Sequence, residues 1–132
     1  MAENFSFEII SPDKVMLTDK ADSVTIPSFE GEMTILPDHI SIITFLRPGI
    51  IKILKSSENI NSFFVQDGII EFYNNNLTIL SSNIINIKDF NKDNIDQLII
   101  ETEKILNEEK LDDDNRYLAN HKINALRSLN LN

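Results

Sequence analysis

The first 88 residues break into short apolar or alternating runs separated by turn residues: FSFEII (5–10), VML (15–17), SVTI (23–26), MTIL (33–36), IIKIL (50–54), SFFVQ (62–66), IIEFY (69–73), LTIL (77–80) and NIINI (83–87). Side chains alternate faces along a strand, so Phe5, Phe7 and Ile9 fall on one side. About eight to ten strands recurring at this spacing predict an antiparallel β-sandwich or barrel. Gly31, Gly49 and Gly68 each stand between two runs, where a turn often requires the positive φ that glycine adopts without steric cost. Asn74, Asn75 and Asn76 read as a further turn, because asparagine tolerates the left-handed region.

Near residue 88 the period changes from 2 to 3.6. Ile95, Leu98, Ile99, Thr102, Ile105 and Leu106 follow one helix face, opposite Asp96, Glu101, Glu103, Lys104 and Glu108, which predicts a helix over about 92–109. The acidic segment Asp112-Asp113-Asp114 offers N-caps for a second helix over about 115–129, with Ala119, Ile123, Leu126 and Leu129 or Asn130 along one stripe. The short loop between them makes an antiparallel hairpin. The predicted class is therefore α+β: a sandwich over 1–88 and a helical hairpin over 89–132. Two short helices alone are marginal in water, so the pair needs another surface to lie against. A choice between two such surfaces would make it a switch.

Charge and missing residue types narrow the chemistry. The net charge of −9 opposes phosphate backbones and anionic lipid, which argues against nucleic acid as a ligand. No basic, apolar leader opens the chain, and no run reaches the roughly 20 apolar residues of a membrane span, so membrane association is expected only through partners. Without cysteine there is no thiolate metal site or disulfide, and with His39 and His121 as the only histidines no metal cluster, cofactor site or nucleophilic triad is evident. Asp38 beside His39 is the nearest approach to an acid–base pair, but adjacent strand residues face opposite ways. The triple aspartate lacks the alternating spacing and distal glutamate of a calcium loop, and caps a helix better than it holds a cation. No catalytic residue is assigned.

The order of these features resembles the epsilon subunits of F-type ATP synthases. It is carried by Ser11-Pro12, Ile26-Pro27, Glu30-Gly31-Glu32, Pro37-Asp38-His39 and Leu46-Arg47-Pro48-Gly49, and continues through FFVQDGIIEFYNNNLTIL at 63–80. Two positions depart from the pattern: Asp67 stands before Gly68 where Gly-Gly is usual, and Asp38 stands where glycine is usual. The first fifty residues are specific in ordered combination, whereas the helical hairpin is generic.

The resemblance implies a non-catalytic rotor subunit whose sandwich binds the gamma subunit and the membrane ring of proteolipid subunits, with the hairpin as a regulatory element able to reach the catalytic head. It implies a peripheral place on the cytoplasmic face of the bacterial inner membrane. By residue pattern, Pro27 to Glu32 is a tight loop holding Glu30 and Glu32 in water. By resemblance, Glu30, Gly31, Glu32 and His39 are the candidate ring contacts, His39 equally a structural residue. Some family members bind ATP through I/L-D-x-x-R-A at the start of the second helix. Here Asp113 and Arg116 are the remnant, with Asp112 in place of the aliphatic residue and Tyr117 in place of alanine, so no ATP site is expected. From another class, a β-sandwich ligand-binding or adaptor module with a helical tail is the alternative.

Overall fold

A computed structural model describes residues 3–56 and 59–130, without the side chains of Asn59, Ile60 and Asn130. Ten strands precede the helices: β1 (Phe5–Ser11), β2 (Lys14–Ala21), β3 (Ser23–Ser28), β4 (Gly31–Ile35), β5 (Ile42–Leu46), β6 (Gly49–Lys55), β7 (Asn59–Val65), β8 (Gly68–Tyr73), β9 (Asn76–Leu80) and β10 (Ile84–Asn86). They pair in the order β10-β7-β6-β3-β5-β8-β9-β1-β2, with β4 branching from β3. Every pair is antiparallel except β1 with β9. The sheet curls on itself, because Asp22 N–H donates to the Leu54 carbonyl and the Lys55 ammonium meets the Asp19 carboxylate at 2.8 Å.

The inner faces carry the alternation read from the sequence. Phe5, Phe7 and Ile9 of β1 are buried together with Val24, Ile26, Ile51, Ile53, Ile70, Phe72, Leu77 and Ile79 in one core. Phe63 and Val65 join that core, whereas Phe64 between them points outward and is nonetheless fully buried. Its cover is the hairpin.

A 3-10 turn (Ile87–Asp89) leads into α1 (Lys92–Leu106), capped by the Asn91 side chain accepting from Asn94 N–H, and α2 (Asp113–Asn130) returns antiparallel to it. Ile95 and Leu126 pack on Phe64 beside Ile50, Phe90, Leu98, Ile99 and Leu129, so the hairpin lies on the outer face of β6 and β7. The predicted stripe Ala119, Ile123 and Leu126 is buried, as is Thr102 of α1, while Ile105 is exposed. Burying an aliphatic side chain is worth about 1.5–3 kcal/mol, which is the surface two short helices need.

Several local expectations are corrected. α1 ends at Leu106 rather than near 109, and α2 begins at Asp113 because Asp112 caps it, accepting from Asn115 N–H at 2.7 Å. Asn76 opens β9, leaving Asn74 and Asn75 as a two-residue turn with φ of 50° and 59°, the doubly left-handed geometry whose twist matches a hairpin. Gly49 has no positive φ; a Cβ there would stand 2.6 Å from the Pro27 Cβ, so close approach excludes a side chain. Asp38 and His39 lie in a loop, not on a strand, and Asp38 has φ 66°. That left-handed conformation is why glycine suits the position and why aspartate, which tolerates it, can replace it. Strand β5 was absent from the predicted runs.

Candidate functional site

The β3–β4 connection is as tight as its sequence implies. Ser28 pairs with Gly31, leaving Phe29 and Glu30 as a two-residue turn, and the Ser28 hydroxyl donates to the Gly31 carbonyl at 2.5 Å. Gly31 has φ 137°, a conformation that favours glycine. Pro27 and Ser28 are buried while Glu30 and Glu32 are exposed. Phe29 N–H donates to the Phe45 carbonyl at 3.1 Å and Arg47 N–H to the Pro27 carbonyl at 2.9 Å, which fix the turn to β5.

Glu30, Gly31 and Glu32 thus share one end of the sandwich, and His39 does not. It follows the opposite end of β4, a five-residue strand whose ends lie about 13 Å apart at the usual rise. There the His39 ring stands edge-on to Phe72 with its Nδ1 2.7 Å from the Ile40 carbonyl, beside an Asp38 backbone and side chain bonded to Asn75. The four ring-contact candidates form two places, not one.

The nucleotide remnant has structural partners. Arg116 reaches the Leu106 carbonyl at 3.4 Å, neutralising the carbonyl end of α1, and Asp113 lies in the first turn of α2 where the helix dipole favours it. Tyr117 turns to the sandwich: its ring stacks on Phe29 with centroids 5.9 Å apart, its hydroxyl donates to the Phe29 carbonyl at 2.8 Å, and it accepts from Arg47 at 3.1 Å. His121 packs edge-on against Tyr117 at 4.5 Å. Burial holds the His121 imidazole below its ordinary pKa of 6.5, and the Arg47 guanidinium adds to the effect.

A second surface was not among the candidates. Phe45 of β5 pairs with Ile69 of β8, which pairs with Leu80 of β9, placing three apolar side chains in one outward row. With Ile10 and Phe29 they border a depression of about 570 Å³. Ile43 and Tyr73 extend the face and are 69% and 65% exposed, well beyond what a solvated sheet face needs. Asp67, accepting from Asn83, stands at the same end. Among the described residues no group of side chains could hold a metal ion, and no helix is long and apolar enough to cross a membrane.

A model of the β-sandwich domain of ATP synthase delta/epsilon chains matches residues 4–87. The chain belongs to the ATP synthase epsilon chain family. It is 49% identical over 131 residues to the ATP synthase epsilon chain of Pelagibacter ubique (strain HTCC1062), covering 98% of this chain and all of that one. It is 32% identical to the epsilon chain of Rhizobium rhizogenes (strain K84 / ATCC BAA-868), over 75% of this chain and 73% of the relative. The fold recurs in Euglena gracilis mitochondrial ATP synthase, solved by cryo-EM with its c-ring, at TM-score 0.77 and 15% identity over 99% of this chain and 82% of that chain. A chain from the central stalk and c-ring of Tetrahymena thermophila mitochondrial ATP synthase matches at TM-score 0.59 and 18% identity, over 96% of this epsilon-family chain and 93% of its own.

Proposed function

We propose that this epsilon-family chain is a non-catalytic central-stalk subunit that joins the gamma subunit to the membrane ring of proteolipid subunits and transmits torque between proton flow and ATP synthesis. The outward row Phe45, Ile69 and Leu80, uncovered and apolar beside an acidic turn, carries the reading. Gamma covers that row, and Glu30 and Glu32 at the adjoining end meet polar loops of the ring. His39, at the other end of β4, serves the sandwich or the gamma contact and is withdrawn from the ring surface. The subunit is held at the cytoplasmic face of the bacterial inner membrane by these partners, since among the described residues no helix is long and apolar enough to cross it. The docked hairpin is the element that regulates ATP hydrolysis.

Two variants test the two surfaces. Phe45→Glu places a carboxylate in the apolar row and is expected to weaken gamma binding at least about tenfold, the effect of spoiling an interface anchor. Glu32→Lys is expected to change unfolding stability by no more than about 0.5 kcal/mol, as exposed substitutions do, while lowering ring affinity and the protons pumped per ATP. Native affinity for gamma in the first variant, or native ring affinity and pumping in the second, would remove the corresponding contact. A large stability loss in Glu32→Lys would make the turn structural.

A further inference from the structure

Phe29 has a different neighbour on each side. One side of its ring faces Tyr117 of α2 in a nearly parallel stack, with 15° between the planes. It also borders the apolar depression formed with Ile10, Phe45, Ile69 and Leu80. The Tyr117 hydroxyl closes the arrangement by donating to the carbonyl of the same residue while accepting from Arg47, whose own N–H is bonded to Pro27 at the start of the turn. One side chain of the hairpin therefore reaches both the turn, at Phe29, and the β5–β6 connection bonded to it, at Arg47. Phe29 itself remains 45% exposed, so its position is not dictated by the sandwich core.

We propose that Tyr117 is a positioning residue for the partner-binding end of the sandwich, so that docking of the α1–α2 hairpin and binding at the Phe29–Gly31 turn are energetically linked. This rests on the reading that the turn meets the proteolipid ring. The linkage follows from the shared bonds: a hairpin held against the sandwich holds the Phe29 carbonyl and the Arg47 guanidinium in one arrangement, and a partner that selects this arrangement holds the hairpin in place. Coupling of this kind is reciprocal by thermodynamic necessity. The bonds are few, and two hydrogen bonds with one stack are a modest coupling, so the link tunes affinity without locking either element.

Tyr117→Phe tests it in the full chain, because it keeps the stack and removes the hydroxyl. Amide exchange of Phe29 and Arg47 reads the seating of the turn directly, since these amides tie it to the end of β5. Exchange at both is expected to rise about fivefold to a hundredfold, the range of the two hydrogen bonds that the hydroxyl makes, with a matching loss of affinity for the purified proteolipid ring in detergent and an unchanged unfolding midpoint of the sandwich. Tyr117→Ala, which also loses the stack, is expected to do more. In the native chain, adding the ring is expected to slow exchange of the α2 amides from Leu118 to Lys122. Native exchange and native ring affinity in both variants would overturn the proposal, as would a ring that protects the turn without protecting α2. If the variants loosen the turn while the native chain shows no affinity for the ring, the ring assignment fails and the positioning of the turn by Tyr117 stands.

Discussion

His121 joins the packing of α2 to the pH of the solution. Glu32, Arg47 and Lys52 of the sandwich line the same groove as His121, and Tyr117 packs against the imidazole. Its pKa is depressed when the hairpin is docked, through burial first and the Arg47 charge second, so the docked form prefers the neutral imidazole. Above the ordinary value of 6.5 both docked and free forms are neutral and docking is at full strength. As the pH falls through 6.5 the free hairpin takes up the proton first, and docking weakens until the docked imidazole also titrates. Protection of α2 amides, with the intrinsic pH dependence of exchange divided out, is therefore expected to fall between about pH 7 and pH 5 and to lose that fall in His121→Gln; an unchanged profile in the variant would assign the effect to other groups. None of this was legible in the sequence, where Tyr117 reads only as a replaced alanine and His121 only as one of two histidines without a metal cluster or triad. Tyr117 acquires partners 70 and 88 residues away, and His121 meets the charge of Arg47. Gly31, by contrast, was legible, because a two-residue turn states its backbone need locally.

At the level of elements, β1 was readable and β5, apolar on both faces, was not. β1 alternates because its outer positions meet water. β5 runs Ile-Ile-Thr-Phe-Leu, with Ile42 and Leu46 turned to the core and Ile43 and Phe45 turned outward, so apolar residues on both faces erase the period of 2. The same feature that hid the strand is the one the proposed gamma contact uses. Phe63-Phe64-Val65 is continuous for a related reason, its outward Phe64 being covered by α1 and α2. The helical stripes were readable except at Ile105, which the predicted α1 face included and the structure leaves exposed. If the sandwich closes its own core, a chain ending at Lys88 is expected to unfold cooperatively and to bind gamma with native affinity, because the main cluster contains no helical residue. Exposed Phe64 and Ile50 are expected to make it bind hydrophobic dyes more strongly than the full chain. Loss of cooperative unfolding would make the hairpin part of one folding unit.

Across the whole molecule the acidic surface and the docked hairpin point away from nucleotide binding. Asp112, Asp113 and Asp114 crowd the α2 N-terminus where a phosphate would otherwise be attracted, Arg116 is engaged with α1, and Tyr117 with the sandwich. Titration of the chain with ATP to about millimolar concentration is expected to give no saturable heat, the regime of a Kd weaker than about 1 mM; saturation below that range, with amide shifts around Arg116, would contradict it. In the proposed role the apolar β5-β8-β9 face meets gamma and the acidic turn meets the ring. The measurement that reaches that role most directly is reconstitution of ATP synthase depleted of this chain, with ATP hydrolysis and proton pumping followed together before and after adding it back. The account predicts that adding the chain raises protons pumped per ATP hydrolysed and binds the catalytic head to the ring, while the chain alone hydrolyses nothing. Equal pumping per ATP and equal attachment of the head without the chain would contradict it.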